Sequence, residues 1–247
     1  MKYERFHFER VTSTNDYAKE LLQEHNCVVV TAEYQTKGRG RNKNQWFGDF
    51  GQNVYLSFGL RHNQNKLIEE VAYFQGLGSL AVLHTLRDLA PNISYFLKYP
   101  NDVYAKSRDG SYRKISGILV EHQFLLELCV SSVIGIGINV NQTQFPEEIR
   151  ESATSLKLLG YEFDVEEVIQ KLICHITKLM EMFPDEVFNL WINTLQIIGR
   201  EVLATNRNLL CEVQGIDPVG RLIASLKETG EVLFISDGDS IRYDFEG

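Results

Sequence analysis

The sequence contains few cysteines, no long apolar run and no excess of positive charge. No stretch approaches the roughly 20 consecutive apolar residues of a membrane-spanning helix, and the N-terminal segment lacks the apolar core of a signal peptide. The four cysteines stand far apart without a CxxC pair, which is typical of reduced core residues and gives no sign of a disulfide or zinc framework. The formal net charge of -8 argues against a broad nucleic-acid surface. We therefore expect a cytoplasmic protein in which any anion is bound by local chemistry.

Hydrophobic residues make up 44% of the 247 positions, which is enough to bury a sizeable core. Their spacing first predicts a strand at 4–9, a helix whose N-cap comes from Ser13-Thr14-Asn15, and strands at 28–32 and 54–58. A helix at 67–89, a strand at 93–99 and an antiparallel hairpin of 115–122 and 124–140 are predicted next. Two further helices are predicted at 165–183 and 185–195. After Gly199, short alternating segments between turn residues predict a small antiparallel barrel. We therefore predict two domains, residues 1–198 and 199–247.

A long polar loop separates the strands predicted at 28–32 and 54–58. Its segment Gln35–Trp46 (QTKGRGRNKNQW) carries four cations within seven residues, glycines that permit close backbone approach to a ligand, and a tryptophan at its end. A loop of this length is usually functional or disordered. One interpretation is a loop that folds around an anion. The alternatives are a solvated charged loop and an RNA-binding Gly-Arg element, which a single copy on an acidic chain makes weak.

Two further segments combine a charged residue with the end of a strand. Lys98–Asp102 (KYPND) places a cation, a turn and a carboxylate at a strand end, where ligand sites often lie. Its Asp102 is suited to hold magnesium or accept a proton, and the alternative is an ordinary turn. In Lys114–Glu121 (KISGILVE), a lysine leads a buried strand and Gly117 leaves room beside it. The alternative for Lys114 is an exposed charge at a strand end.

The fourth segment is Ile134–Asn141 (IGIGINVN), in which two glycines spaced by two open one face of a strand to a close neighbour. The amide of Asn139 is suited to contact an adenine or phosphate edge. The segment is not a dinucleotide-binding fingerprint, because a GxGxxG motif follows a strand and opens a helix. The alternative is a strand crowded against another element.

Taken together and in this order, these segments resemble the biotin-protein ligases. The matching motifs are Ser13-Thr14-Asn15, Gly38-Arg39-Gly40-Arg41, Lys98–Asp102, Lys114–Leu119 and Gly137-Ile138-Asn139. The resemblance implies an α+β fold with a class II synthetase-like mixed sheet and helices, followed by a small SH3-like C-terminal β-barrel. It also implies an enzyme that activates biotin with ATP as biotinyl-5′-AMP and transfers it to a lysine of a carrier. The alternative is a lipoate-protein ligase or octanoyltransferase of the related fold.

The resemblance further implies the residues of the site. Biotin would be bound by Ser13, Thr14, Asn15, Gln35, Arg39, Gly40, Arg41, Lys114 and Gly117, and ATP by Arg41, Trp46, Asn101 and Asn139. Catalysis would use Lys114, Arg41 and Asp102, with Asp102 as the candidate Mg²⁺ ligand and the candidate acceptor of the carrier lysine's proton. Two positions depart from the family pattern: Asn42-Lys43-Asn44-Gln45 replaces further glycine and arginine, and Tyr99 replaces a common tryptophan. No motif of the adenylation site falls in residues 199–247.

The expected partner is a biotin carboxyl carrier protein or domain of a biotin-dependent carboxylase. Family members that also repress transcription carry an N-terminal winged-helix domain, whereas only 12 residues precede Ser13 here. We therefore expect a ligase without repressor function that binds neither DNA nor a membrane, as a monomer or a homodimer. A nucleic-acid or regulatory module built on a ligase-like fold is an alternative of another class, which the acidic charge opposes.

Overall fold

A seven-stranded mixed sheet forms the centre of the structure, a computed structural model that describes residues 2–205 and 208–243. Its strands are β1 (Glu4–Val11), β2 (Cys27–Gln35), β3 (Asn53–Lys66), β4 (Tyr95–Lys98), β5 (Asp102–Lys106), β6 (Tyr112–Leu125) and β7 (Leu128–Asn139). Their spatial order is β1-β2-β3-β7-β6-β5-β4. Strands β1 and β2 run parallel, and the other neighbours run antiparallel. The predicted α+β class with a mixed sheet is therefore confirmed.

Helices cover the two faces of this sheet unequally. The described helices are α1 (Thr14–Leu21), α2 (Ile68–Val71), α3 (Tyr73–Leu89), α4 (Val165–Leu179) and α5 (Pro184–Leu195). Val28 and Val30 of β2 pack with Ala18 of α1 in a small cluster, whereas Val29 joins the main core with α3, α4 and α5. Because side chains alternate across a strand, α1 lies on one face of the sheet and the other helices lie on the opposite face. None of the described helices has the length and apolar character that crossing a bilayer requires.

Helix α3 lies very close to the sheet because it carries glycine where other elements cross it. A Cβ atom added to Gly78 would stand 2.7 Å from Ile134 Cγ2, and one added to Gly76 would stand 2.6 Å from Trp191 Cβ. Real Cβ contacts are not this short, so both positions require glycine for this packing. The close approach buries α3 almost completely and makes it the centre of the main core.

Several elements differ from the prediction in their ends. The helix predicted at 67–89 is divided at Ala72 into α2 and α3, for which we have no physical account. Ser13 occupies the N-cap position of α1 but makes no side-chain cap hydrogen bond. Pro184 is the first residue of α5, where its missing N–H leaves no hydrogen bond unmade. Strand β5 was not predicted, because Pro100 marks the turn of a β4–β5 hairpin and the chain pairs again directly after it.

The C-terminal region forms a second sheet of five strands. These are β8 (Glu201–Ala204), β9 (Leu209–Ile216), β10 (Leu222–Leu226), β11 (Val232–Ile235) and β12 (Ile241–Arg242), in the spatial order β11-β10-β9-β8-β12. All neighbouring pairs are antiparallel, as predicted, but the pairings within the described residues do not close the sheet into a barrel. Tyr99 Oη donates to the second sheet, lying 2.9 Å from the carbonyl oxygens of both Gly220 and Ile235. This sheet therefore packs directly against the β4–β5 turn.

Candidate functional site

A cavity lies on the α1 face of the large sheet, where three glycines leave the strands without side chains. Gly117 of β6 pairs with Gly137 of β7, and Gly135 stands two residues before Gly137 on the same face. A Cβ atom on Gly135 would stand 2.3 Å from Asn15 Oδ1, and one on Gly137 would stand 2.4 Å from Trp46 Cε2. The prediction that the two β7 glycines admit a close neighbour is therefore confirmed.

The cavity collects the predicted site residues from distant parts of the chain. Those that line it are Ser13, Thr14, Asn15, Gln35, Arg39, Gly40, Arg41, Trp46, Asn101, Asp102, Lys114 and Gly117. Asn139 lies outside the lining, and its Nδ2 donates to the carbonyl oxygen of Thr154 at 3.0 Å. Since this amide is buried and bonded to backbone, its position supports a structural role rather than contact with a nucleotide.

One end of the cavity has a wall of neutral polar groups. Gln35 Oε1 accepts hydrogen bonds from the backbone N–H of Thr14 at 2.8 Å and from its hydroxyl at 3.1 Å. Ser57 Oγ lies 2.8 Å from Thr14 Oγ1 and 2.6 Å from Asn15 Oδ1. Thr14, Asn15 and Ser57 are almost completely buried, so this network fixes their side chains. Ser57 was not among the predicted site residues, because nothing in its strand pattern distinguishes it from a core serine.

Arg39 of the polar loop is held by carboxylates at the same end. Its guanidinium forms a two-pronged pair with Asp16, at 2.8 and 2.6 Å, and also donates to Glu121 at 3.0 Å. The hydrogen bond from Arg39 holds the pKa of Asp16 below its usual value. Glu121 belongs to the Lys114–Glu121 motif but was not among the predicted site residues. The sequence did contain a signal for Glu121. Gly117, Leu119 and Glu121 are spaced by two, which places all three on one face of β6 and so on the side of the predicted site.

Trp46 separates the neutral end from a charged end. Its ring lies against Gly117 and Gly137, whose added Cβ atoms would stand 2.9 and 2.4 Å from it. Lys114 Nζ lies 5.8 Å from the ring centroid, within cation–π distance. Trp46 Nε1 is buried and has no hydrogen-bond partner within the described part of the chain. The indole therefore covers the middle of the cavity and keeps an unused donor there.

The charged end contains two lysines and an aspartate from neighbouring strands. Lys114 Nζ lies 2.7 Å from Asp102 Oδ1, an ion pair by distance that lacks the directional geometry of a hydrogen bond. Lys98, which was quoted as part of a motif but not assigned to the site, also lines the cavity. Burial lowers the pKa of the Lys98 ammonium. Asn101 is pinned beside them, because its Nδ2 donates to the carbonyl oxygen of Ile118 at 2.6 Å. This end therefore presents positive charge beside a single ion-paired carboxylate of the large sheet.

The C-terminal region also lines the cavity, which sequence reasoning did not anticipate. Asp237, Gly238 and Asp239 form part of the wall at the charged end. Asn42 Nδ2 donates to Asp237 Oδ2 at 3.2 Å and lies 3.3 Å from Asp239 Oδ2. In the sequence, Asp237-Gly238 has the pattern of a turn, and a turn carries no information about which distant segment it will contact.

The number and arrangement of carboxylates at the charged end limit which metal ion this site can bind. Within residues 2–205 and 208–243, no cluster of three or more His, Cys, Asp or Glu side chains has the arrangement of a metal site. Mg²⁺ keeps several waters and is usually bound by one or two carboxylates together with substrate phosphates. Asp102, the predicted ligand, therefore fits a Mg²⁺ ion that arrives with a nucleotide, and the described carboxylates do not fit an ion held by protein ligands only.

Comparisons with known proteins agree with this geometry. The family model that matches residues 7–139 is described as the biotin/lipoate A/B protein ligase family. The bifunctional ligase/repressor BirA of Bacillus subtilis is 30% identical over 245 residues, covering 92% of this chain and 71% of the relative. The biotin protein ligase of Aquifex aeolicus in complex with biotin and ATP superposes with a TM-score of 0.71 at 29% identity, covering 98% of this chain and 99% of that one. The chain belongs to the biotin/lipoate A/B protein ligase family.

Proposed function

We propose that this protein is an ATP-dependent biotin-protein ligase, which makes biotinyl-5′-AMP and transfers the biotinyl group to a specific lysine of a biotin carboxyl carrier protein. The observation that carries the proposal is one cavity with a hydrogen-bonding wall at one end and a charged end that holds two lysines. The similar Aquifex aeolicus enzyme was solved in complex with biotin and ATP. Asn15 stands at the hydrogen-bonding end and Lys114 at the charged end.

The neutral end suits the fused rings of biotin. The ureido group offers two N–H donors and a carbonyl acceptor, and Thr14 and Asn15 line the cavity with hydroxyl and amide groups of matching kind. Ser57 lies behind them and holds both in place. The strand glycines let Asn15 and Trp46 lie directly against the sheet, so these two side chains form walls beside the space for the ring system. A ligand whose polar groups can exchange hydrogen bonds with Thr14 and Asn15 is favoured over one that has none to offer.

The two lysines of the charged end suit the adenylation step. An oxygen of the biotin carboxylate bonds to the α-phosphorus of ATP while the bond from that phosphorus to the bridging oxygen breaks and pyrophosphate leaves. Two anions must approach each other, so positive charge is needed where negative charge develops. Lys114 and Lys98 supply it from the protein. Mg²⁺ would reduce the charge of the triphosphate, and Asp102 is the residue that fits it.

The transfer step needs an acceptor for a proton. The amine of the carrier lysine attacks the acyl carbon of biotinyl-5′-AMP and AMP leaves, but a free lysine has a pKa of about 10.4 and must first lose its proton. Asp102 is the proposed acceptor, because it lines the cavity beside Lys114. The acceptor would be a carboxylase carrier in the cytoplasm. A monomer or a homodimer, with neither DNA nor a membrane as a partner, remains the prediction.

Lipoate and octanoate ligation on the related fold is the alternative activity. The family description covers both substrate classes. The neutral wall argues for biotin, because a ureido group can exchange hydrogen bonds with Thr14 and Asn15, whereas a dithiolane ring or an alkyl chain offers them no polar group.

A single incubation series tests the proposal. The protein is mixed with MgATP, a biotin carboxyl carrier domain and biotin, and the mass of the carrier is measured by mass spectrometry. We expect the mass gain of one biotinyl group on the acceptor lysine. Parallel incubations with lipoate or octanoate and a lipoyl carrier domain should leave the carriers unchanged. A carrier modified by lipoate or octanoate but not by biotin would replace the proposal with the alternative.

A further inference from the structure

Glu121 is a half-buried carboxylate behind Asn15 and Arg39, two residues that line the cavity, and the proposed reaction assigns it no role. It lies near the end of β6, on the same face as Gly117 and Leu119, which both line the cavity. Its side chain is only 24% exposed. Burying a charge is costly unless it is paired, so a carboxylate retained here needs partners.

The partners of Glu121 come from two different segments of the chain. From α1, Asn15 Nδ2 donates to Glu121 Oε2 at 2.6 Å and Lys19 Nζ lies 3.0 Å from Oε1. From the polar loop, Arg39 Nη2 lies 3.0 Å from Oε2. One carboxylate on the sheet therefore joins the first turn of α1 to the segment that follows Gln35.

This arrangement leaves the amide of Asn15 a single orientation. An ionised carboxylate only accepts hydrogen bonds, so the NH₂ group of Asn15 must face Glu121. Its Oδ1 then faces Ser57, whose hydroxyl donates to it at 2.6 Å. Gly135 lies so close that an added Cβ atom would meet Asn15 Oδ1 at 2.3 Å, which shows how tightly the amide is packed.

The balance of effects on Glu121 keeps it ionised. Burial acts to raise its pKa, but the hydrogen bonds from Asn15 and Lys19 and the charges of Lys19 and Arg39 bring the pKa below its ordinary value. At neutral pH the side chain is therefore an anion, and it can hold the Asn15 amide and the Arg39 guanidinium at the same time.

We propose that Glu121 is a positioning residue for substrate recognition, which holds Asn15 and Arg39 in the arrangement that binds the biotin ring system. This inference rests on the proposed function. Lys114 precedes Glu121 by seven residues on β6, a separation of roughly 20 Å along a strand. Glu121 is therefore remote from the adenylation chemistry. Its removal weakens the binding of biotin in ground state and transition state alike, which raises KM and leaves kcat nearly unchanged.

The test substitutes the carboxylate by its isosteric amide. Glu121→Gln should raise the KM for biotin about tenfold or more, which is the effect of losing hydrogen bonds to a charged group. The KM for ATP and the kcat of adenylation should stay within about twofold of wild type, because these report on the other end of the cavity. Glu166→Gln is the matched control, since Glu166 also forms an ion pair with an arginine, Arg5 at 2.6 Å, outside the cavity. It should change neither KM.

Two additional variants separate positioning from general stability. If Glu121 acts through Asn15 and Arg39, adding Glu121→Gln to the variant Asn15→Ala/Arg39→Ala should not weaken biotin binding further, because both groups that Glu121 holds are already absent. Should Glu121→Gln fail to fold, Glu121→Asp keeps the charge but shortens the reach by one methylene, and we expect an intermediate KM for biotin.

The outcomes are distinguishable. An unchanged KM for biotin in folded Glu121→Gln, a further loss when Glu121→Gln is added to Asn15→Ala/Arg39→Ala, or a wild-type KM in Glu121→Asp would each overturn the role of Glu121. Wild-type protein that fails to biotinylate a carrier in the same assay would instead overturn the proposed function, and the inference with it.

Discussion

Arg41 Nη2 donates to the carbonyl oxygen of Ser236 at 2.6 Å, although 195 residues separate them in the sequence. Next to Arg41, Asn42 has a positive φ of 52° and directs its amide to Asp237. The polar loop between β2 and β3 is therefore held against the C-terminal sheet and closes one side of the cavity. An acyl adenylate is hydrolysed by water, so a wall of this kind protects the intermediate between the two steps.

Arg41→Ala should increase the escape of biotinyl-5′-AMP more than it weakens the initial binding of biotin. The loop loses its hydrogen bond to Ser236, which holds it closed. A closed loop stabilises the bound intermediate more than it stabilises the first encounter with biotin. Rapid-quench measurement of free biotinyl-5′-AMP, beside calorimetric titration with biotin, checks this. Arg61→Ala is the control, because Arg61 also donates to a backbone carbonyl, that of Gln23, but lies outside the cavity. Unchanged escape together with a collapse of biotin affinity would reverse the role of the loop.

Lys114→Ala should lower the rate of adenylation by about 100-fold or more, the usual size of losing one pre-organised electrostatic partner. Transfer from added biotinyl-5′-AMP should suffer much less, because that step begins after the carboxylate and triphosphate have reacted. The thermal transition should stay near that of wild type, since Lys114 is one-third exposed. Pyrophosphate release and single-turnover transfer measure the two steps. Lys157→Ala, which removes the surface pair with Glu162, is the control. Adenylation at wild-type speed would leave Lys114 as an ordinary strand-end charge.

Gly135→Ala should weaken biotin binding by about tenfold or more while the protein stays folded. The added methyl group would stand 2.3 Å from Asn15 Oδ1, and overpacking of this kind costs about 1–3 kcal/mol. Asn15 is bonded to Ser57 and Glu121, so it cannot move aside without breaking the neutral wall. Calorimetric titration with biotin measures the effect. Gly215→Ala in β9 is the matched control, because nothing lies within 4 Å of its added Cβ atom. Equal affinities of both variants for biotin would contradict the placement of Gly135 and Asn15 at the biotin site.

Stability should fall as the pH falls from about 6.5 towards 4, in part because of His122. Burial, with His62 nearby, lowers the pKa of His122 to about 4, whereas an unfolded histidine has a pKa of about 6.5. Between these two pKa values the unfolded chain binds a proton that the folded protein does not. The stability gained by keeping His122 neutral is therefore present in full above pH 6.5 and is lost as the pH falls towards 4. The loss amounts to about 3 kcal/mol at most.

Urea unfolding between pH 4 and 8 checks this prediction. His122→Asn should flatten the dependence of the unfolding free energy on pH, since asparagine can still bond Ser132, the partner of His122 Nδ1 at 2.8 Å, but does not titrate. A slope in His122→Asn that is parallel to wild type would mean that other groups carry the acid sensitivity.

The local patterns of the sequence were sufficient for most elements and for the main members of the site. Helical spacing predicted α1 and α4, the alternation of apolar residues predicted the β6–β7 hairpin, and glycines spaced by two on β7 predicted a close neighbour. These are properties of residues a few positions apart, so they are visible in the chain itself. The order of the motifs, taken together, identified the resemblance that the comparisons then established.

Only the tertiary structure decided which distant groups meet. The pairing of Glu121 with Asn15 joins residues 106 positions apart, and the contact of Asn42 with Asp237 joins residues 195 apart. In the tertiary structure, Asn139 also lies outside the lining of the cavity, whereas Asp237 and Asp239 form part of it. No local pattern encodes such contacts, because they depend on how the two sheets pack and on which face of each strand the packing buries. The residue types of the site are thus a property of the sequence, and their arrangement into a neutral and a charged end is a property of the fold.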